Sequence, residues 1–162
     1  MARRTMIGVI GGQTPPPEFL PLAETVGRLV AEAGAVLVCG GLEGVMEAAC
    51  RGAKSAGGLT VGILPGGDKG AANAFVDLPI VTAMGTARNV IVVRTSDALI
   101  AIDGAFGTLG EIALALDQGK RVFSLGSWDL AKAGIDTSHI VPAKTPEEAV
   151  RLALAEAART AH

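Results

Sequence analysis

The sequence predicts an α/β domain with three layers, in which helices cover both faces of a mostly parallel central sheet. Its length of 162 residues is typical of one domain, so residues 1–162 are expected to fold as a single unit. Hydrophobic residues make up 49% of the chain and the mean hydropathy is +0.45, which favours strands buried on both faces. Apolar strands also alternate with amphipathic stretches, and this alternation predicts parallel βαβ units.

The first part of the chain shows two rounds of this alternation. Residues 6–10 form an apolar strand that ends in Gly11 and Gly12. Apolar residues at helical spacing then predict a helix over 18–33, which Gly34 closes. The pattern repeats with a strand at 35–39, a helix at 45–56 and a third strand at 60–64.

The second part of the chain continues the alternation after a glycine-rich loop at 65–74. A short strand is expected within 75–84. Thr86 is predicted to cap a helix over 87–95; residues 90–93 favour a strand by propensity, but the alternation requires a helix there. The remaining elements are a strand at 98–102, a helix at 108–118, a strand at 121–124, an edge strand at 140–141 and a closing helix at 146–160.

Composition and charge disfavour several classes of function. The net charge of −2, the 3% of aromatic residues and the lack of tyrosine argue against a nucleic-acid partner, because nucleic acids require a basic surface or stacking rings. Every long apolar run is interrupted by charge or glycine, so no membrane span is expected. The first residues show no signal-peptide core and cleavage site, so we expect a cytoplasmic protein.

The two cysteines predict neither a metal site nor a disulfide framework. Cys39 and Cys50 lack CxxC spacing, and the only imidazole ligands available are His139 and His162. We therefore expect both cysteines to be buried, reduced thiols.

Glycine-rich loops follow most of the predicted strands. Because ligands bind outside the carboxyl ends of parallel strands, these loops are expected to face one crevice. Two of them lead into helices, at 41–45 and 107–109, where free N–H groups and the helix dipole attract phosphate. Any single loop is equally a tight turn, but several at one edge favour binding. The chain lacks a P-loop and a full GxGxxG motif, so the expected ligand is smaller than NAD.

Two charged residues and one aromatic residue near these loops are candidates for contact with a ligand. Arg88 would lie in the first turn of a helix, where a cation opposes the dipole unless a phosphate or carboxylate compensates it; the alternatives are exposure to solvent or pairing with Asp103. Glu111 either completes a capping box with Thr108 or acts as a carboxylate that activates water or stabilises a cationic sugar. Phe106 either stacks on a ring of the ligand or belongs to the core.

Three segments resemble those of the Lonely Guy and DprA-related superfamily, which is often misnamed lysine decarboxylase-like. They are GGLEGVM at 40–46, ARN at 87–89 and GTLGE at 107–111. The order of the glycine loops matches over nearly the whole chain, which implies a Rossmann-like fold. Lonely Guy members are phosphoribohydrolases that release the base from nucleoside 5′-monophosphates. The resemblance implies Arg88 and Glu111 as the catalytic pair, with Gly107 and Thr108 at the phosphate.

Two departures from the motifs of the enzymes favour binding over hydrolysis. This chain has DGA at 103–105 and Asn89 after Arg88, where the enzymes have Pro-Gly-Gly and Arg-Lys, and an extra carboxylate near phosphate is costly unless paired. These features are more similar to the branch that includes the molybdenum cofactor carrier proteins, which bind a phosphorylated pterin. The resemblance therefore implies a binding or carrier protein. The alternatives are a nucleotide phosphoribohydrolase and a structural oligomer with vestigial loops.

The expected partner is a small phosphorylated ligand, namely a nucleotide, the molybdopterin of the molybdenum cofactor, or phosphate itself. No cofactor or metal is expected to be required, and a homodimer or homotetramer is expected. Besides Arg88 and Glu111, the residues expected to contact the ligand are Gly11, Gly12, Gly40, Gly41, Gly44, Met46, Thr86, Asn89, Gly104, Gly107 and Thr108.

Overall fold

The computed structural model describes residues 3–160, so His162 and the other terminal residues 1, 2 and 161 lie outside the described range. Within this range the strands are β1 (Met6–Gly11), β2 (Val36–Cys39), β3 (Thr60–Leu64), β4 (Leu78–Val81), β5 (Ala98–Ile102), β6 (Val122–Leu125) and β7 (Ile140–Pro142). The helices are α1 (Phe19–Glu32), α2 (Val45–Ser55), α3 (Asn89–Thr95), α4 (Phe106–Asp117) and α5 (Pro146–Thr160). Short 3₁₀ turns at Lys69–Ala71 and Gly85–Arg88 precede β4 and α3.

The strands form one sheet in the order β4-β3-β2-β1-β5-β6-β7, and every neighbouring pair in it is parallel. The prediction of a Rossmann-like, mostly parallel sheet is confirmed, and the described sheet is parallel throughout. The chain adds strands outward from β1 to β4, then returns to the other side of β1 and continues from β5 to β7. This reversal creates a switch point between β1 and β5, where the loops after the two strands leave a crevice.

Helices cover both faces of the sheet, as expected. Buried residues of α1, α2 and α5 pack on one face, and those of α3 and α4 pack on the other. On the first face α1 and α2 approach so closely that a Cβ added to Gly27 would lie 1.8 Å from the Ala49 carbonyl oxygen. This packing holds α2, and the loop that leads into it, firmly against the sheet.

The ambiguous stretch at 87–95 is helical, so that prediction is confirmed. Val92 and Val93 are fully buried, and their burial in the core outweighs their preference for a strand. The predicted cap at Thr86 is wrong. Thr86 lies inside the 3₁₀ turn, and no side chain caps either this turn or α3.

Most other element ends differ from prediction by one or two residues, which is usual for helix and strand boundaries. The strand at 60–64, the closing helix at 146–160 and the edge position of β7 agree with it. The difference with the largest consequence is in α4, which begins at Phe106, two residues earlier than predicted. Among residues 3–160, no helix is both long and apolar enough to cross a membrane.

Candidate functional site

A cleft of about 340 Å³ opens at the carboxyl edge of the sheet, where the loops after β1 and β5 separate. We call it the β1–β5 cleft. The loops after β2 and β3 and the turn before α3 complete its walls. The predicted site residues that line it are Gly11, Gly12, Gly40, Met46, Thr86, Arg88, Asn89, Gly107, Thr108 and Glu111.

The N-terminus of α2, also predicted as a phosphate site, is partly engaged by protein atoms. The Val45 N–H donates to the Gly12 carbonyl at 3.0 Å. Gly44 has φ +69°, and a Cβ there would lie 2.3 Å from the Gln13 carbonyl oxygen. Gly41, with φ +77°, packs against Gly62 and Leu64 of β3. Gly41 and Gly44 therefore shape the turn into α2 and do not line the cleft.

The N-terminus of α4, the other predicted phosphate site, faces the β1–β5 cleft. The backbone N–H groups of Phe106, Gly107 and Thr108 have no acceptor among residues 3–160, and the first helical bond runs from Leu109 N to Ala105 O at 3.0 Å. Gly107 and Thr108 line the cleft. These free donors and the dipole of a 12-residue helix make this end attractive to an anion.

Gly104 supports this helix end instead of lining the cleft as predicted. Its φ is +109°, and a Cβ there would lie 2.3 Å from the Thr108 hydroxyl oxygen. The turn between β5 and α4 can therefore close on Thr108 only with glycine at this position.

Arg88 is a buried cation, with only 8% of its surface exposed. Its guanidinium donates to the Gly40 carbonyl at 3.3 Å and to the Asn89 side-chain oxygen, while its Nε has no hydrogen-bond partner among the described residues. A Cβ on Gly40 would lie 2.6 Å from the Arg88 Nη2, so glycine leaves the space that the guanidinium fills. Exposure to solvent, one of the alternatives for Arg88, is therefore wrong.

The other alternative, pairing of Arg88 with Asp103, is also wrong, since no ion pair joins these residues in the described chain. Asp103 has φ +50°, and its Oδ2 lies 2.8 Å from the position of a Cβ on Gly12. Its carboxylate thus faces the loop after β1, and its carbonyl accepts a hydrogen bond from the Ser127 hydroxyl at 2.5 Å. Asp103 does not line the cleft.

Glu111 lies on the cleft wall with only 7% of its surface exposed. The predicted capping box is wrong, because α4 starts earlier: Ala105 is the N-cap and Thr108 is the third helical residue. Burial raises the pKa of Glu111 to about 7, and the nearby Arg88 guanidinium opposes this rise. Burial likewise lowers the pKa of Arg88, against the attraction of Glu111. The carboxyl group therefore changes charge near neutral pH while the guanidinium stays charged.

Six cleft residues were not among the predicted contacts: Val9 and Ile10 of β1, and Gln13, Leu42, Pro65 and Ala105. The last four belong to loops that the glycine pattern did identify, but glycines and charged side chains alone gave no reason to select them. The thiols of Cys39 and Cys50 are buried, as expected, yet their sulfurs lie 3.5 Å apart, beneath the loop into α2. No group of three or more His, Cys, Asp or Glu side chains is placed to hold a metal within residues 3–160.

A family model described as LDcluster4, SLOG cluster4 family, matches residues 4–153 of the chain. A protein from Archaeoglobus fulgidus, described as uncharacterized, is 48% identical over 153 residues, which are 94% of this chain and 97% of the relative. Both matches span nearly the whole domain.

Solved structures extend the comparison. The molybdenum cofactor binding protein from Rippkaea orientalis is 41% identical, with a TM-score of 0.88 over 96% of this chain and 98% of its own. The molybdenum cofactor carrier protein from Chlamydomonas reinhardtii is 36% identical, with a TM-score of 0.88. The match covers 96% of this chain and 99% of the carrier protein. DprA from Streptococcus pneumoniae shares the fold alone: it is 16% identical, with a TM-score of 0.70. The match covers 91% of this chain and 61% of DprA.

Proposed function

The chain belongs to the SLOG cluster4 family, and from this premise we propose that it is a carrier or binding protein for a small phosphorylated ligand in the β1–β5 cleft. The observation that carries the proposal is the buried Nε of Arg88. It has no hydrogen-bond partner among residues 3–160, and Arg88 lines the same cleft as the N–H groups at the start of α4. A buried charged donor without an acceptor costs free energy that a bound anion recovers. A phosphate group fits because it accepts hydrogen bonds from a guanidinium and from helix amides together.

Two of the similar solved structures carry or bind the molybdenum cofactor, so its phosphorylated pterin is the first candidate ligand and a nucleotide is the second. The cleft volume, about 340 Å³, lies at the lower end of the range for small-molecule sites and suits a ligand smaller than a dinucleotide. Asn89 also fits a binding role. It accepts a hydrogen bond from Arg88 and so orients the guanidinium, whereas a lysine there would repel it.

Thermal unfolding of the purified protein tests this proposal. We expect AMP, neopterin monophosphate and inorganic phosphate to raise the melting temperature, and adenosine and neopterin without phosphate to leave it nearly unchanged. A ligand stabilises the folded state appreciably only when its concentration exceeds its Kd for that state. Equal effects of each compound with and without its phosphate would contradict the proposed phosphate site. Failure of every phosphorylated compound would instead favour a structural role.

The second candidate function is a nucleotide phosphoribohydrolase, and the specific observation in its favour is Glu111. Its carboxyl group is buried on the cleft wall, serves no helix cap and has a pKa of about 7. In such a reaction water adds to the sugar as the N-glycosidic bond breaks, and the leaving base takes up a proton. A carboxyl group that titrates near neutral pH can supply or accept that proton.

Incubation with AMP separates the two functions. The carrier proposal predicts that AMP is recovered intact, with no adenine above the rate in buffer, as measured by chromatography. Release of adenine by the protein, lost in Glu111→Gln with AMP binding retained, would establish the hydrolase instead. The same glutamine variant therefore serves as the control for a contaminating enzyme.

A methyl group added at Gly107 should weaken ligand binding without harming the fold. A Cβ at this position meets no atom of residues 3–160 within 4 Å, yet the residue lines the cleft where the phosphate is proposed to approach. We expect Gly107→Ala to weaken AMP binding at least about tenfold, equivalent to roughly 1.4 kcal/mol, in calorimetric titration. Its free energy of unfolding should stay equal or rise by about 0.5–1 kcal/mol, because alanine is the better helix former.

Gly110→Ala is the matched control. Gly110 also lies in α4, and a Cβ there meets no atom of the described residues within 4 Å, but Gly110 does not line the cleft. Its alanine variant should share the gain in stability and keep the full affinity. Equal affinity of the two variants would mean that phosphate does not approach α4 at Gly107.

Other expectations from the sequence stay predictions. They are a cytoplasmic location, the lack of a nucleic-acid partner and assembly into a homodimer or homotetramer. The net charge of −2 supports the lack of a nucleic-acid partner. Sedimentation equilibrium of the purified protein would test the assembly into a homodimer or homotetramer.

A further inference from the structure

Two aromatic side chains contact each other beside the β1–β5 cleft. Phe106 is the first residue of α4, and Trp128 follows β6 at the same edge of the sheet. Their ring centroids lie 6.1 Å apart with the planes tilted by 30°. Phe106 is 82% exposed, so its assignment to the core, one of the alternatives from sequence, is wrong. Large apolar side chains this exposed are informative when they adjoin a binding site.

Trp128 is held next to the proposed phosphate site, and Phe106 contacts it. The neighbours of Phe106 in the chain, Ala105 and Gly107, both line the cleft. The Trp128 indole N–H donates to the Ala105 carbonyl at 3.2 Å, and the ring packs against the buried cluster under α3 and α4. One short segment thus carries both the free amides of α4 and the exposed ring.

Phe106 is separate from the other large group of exposed apolar residues. That group lies on and just after the edge strand β4, at Leu78, Ile80, Val81 and Met84. In the sheet, β3, β2 and β1 stand between β4 and β5, the strand that leads to Phe106. An interface formed at the β4 edge would therefore leave Phe106 uncovered.

We propose that Phe106 and Trp128 form an aromatic platform that stacks against a planar heteroaromatic ring attached to the bound phosphate. This inference rests on the proposed function and narrows its ligand class. The site then selects phosphorylated compounds with a flat ring, such as a purine nucleotide or a pterin phosphate, over phosphorylated sugars. Stacking suits this role because it recognises the face of any flat heterocycle, while Arg88 and α4 recognise the phosphate.

The test compares ligands with and without a ring on the wild-type protein and on Phe106→Ala. The probes are AMP, neopterin monophosphate, ribose 5-phosphate and inorganic phosphate, titrated by calorimetry. Phe106→Ala should weaken AMP and neopterin monophosphate binding about tenfold and change the other two affinities less than about twofold. Leu78→Ala removes another exposed apolar side chain, at the β4 edge, and should leave all four affinities unchanged.

Fluorescence gives an independent readout, because Trp128 is the only tryptophan in the chain. Ring-bearing ligands should change its emission, after correction for their absorption, whereas ribose 5-phosphate and phosphate should not. We expect this change both for the purine ring of AMP and for the pterin ring of neopterin monophosphate.

The outcomes separate this inference from the proposed function. If Phe106→Ala weakens AMP and ribose 5-phosphate binding equally, or neither, while the wild type binds both, the aromatic platform is overturned and the phosphate site stands. If the wild type binds none of the four probes, the proposed function fails and the aromatic platform fails with it.

Discussion

Replacement of Arg88 by methionine is expected to abolish measurable binding of AMP and inorganic phosphate. Arg88 is the buried cation of the β1–β5 cleft, and its Nε has no hydrogen-bond partner in the described part of the chain. Hydrogen bonds to charged groups contribute about 1.5–3 kcal/mol each, so loss of two of them weakens binding roughly 100-fold or more. Calorimetric titration of both proteins measures the difference.

The same substitution should have little cost for the free protein, or should stabilise it. Methionine keeps the apolar stem of the side chain and removes a buried guanidinium that is incompletely hydrogen-bonded. At about pH 5.5, where the Glu111 carboxyl is protonated and needs no counter-charge, we expect the free energy of unfolding in urea to be unchanged or to rise by about 1 kcal/mol. Opposite effects on binding and stability are typical of a residue that is kept for its ligand.

Arg94→Met is the control for loss of charge, since Arg94 is an exposed arginine at the end of α3 and does not line the cleft. It should bind AMP as the wild type does. Full affinity of the Arg88→Met variant would contradict binding of the phosphate by Arg88.

Replacement of Glu111 by glutamine should make the protein more stable above neutral pH. In the folded state burial raises the pKa of Glu111 from 4.5 to about 7, so the fold binds more protons than the unfolded chain between these values. The contribution of this group to the free energy of unfolding therefore falls by up to about 3 kcal/mol as the pH rises through this window. Above the window the contribution stays constant. Glutamine stays neutral and avoids this loss.

Urea unfolding of both proteins from pH 4 to pH 8 measures this effect as a difference, in which the other titrating groups cancel. The glutamine variant should exceed the wild type by a margin that grows between about pH 4.5 and pH 7 and then stays level. Glu18→Gln, at an exposed glutamate, should follow the wild type within about 0.5 kcal/mol at every pH. A margin independent of pH would show that Glu111 is ionised normally in the fold.

The sheet and its binding edge were predictable because their signals are local and repeated. Each buried strand is a short apolar run, and each glycine loop follows such a run, so the alternation alone fixes the order of the layers. Arg88 was also predictable, since a cation at a helix start requires compensation. The unpaired Nε of Arg88 agrees with that argument. The burial of this side chain, however, could not be predicted from the residues around it.

The start of α4 was not predictable from its own residues. Thr108 and Glu111 have the spacing of a capping box, a local signal that favours a later start. The actual start depends on the turn at Gly104, whose packing on Thr108 is a tertiary contact. The approach of Cys39 to Cys50 and of Trp128 to Ala105 likewise joins separate elements, for which the sequence has no periodic signal.

The most direct test of the central claim is a titration of the isotope-labelled protein with inorganic phosphate, followed by ¹⁵N–¹H NMR. We expect the largest shifts at the backbone amides of Phe106, Gly107 and Thr108 and at the Nε–H of Arg88, because these donors have no acceptor among residues 3–160. Shifts centred instead on the start of α2, at Val45, or spread evenly over the surface would contradict a phosphate site formed by α4 and Arg88.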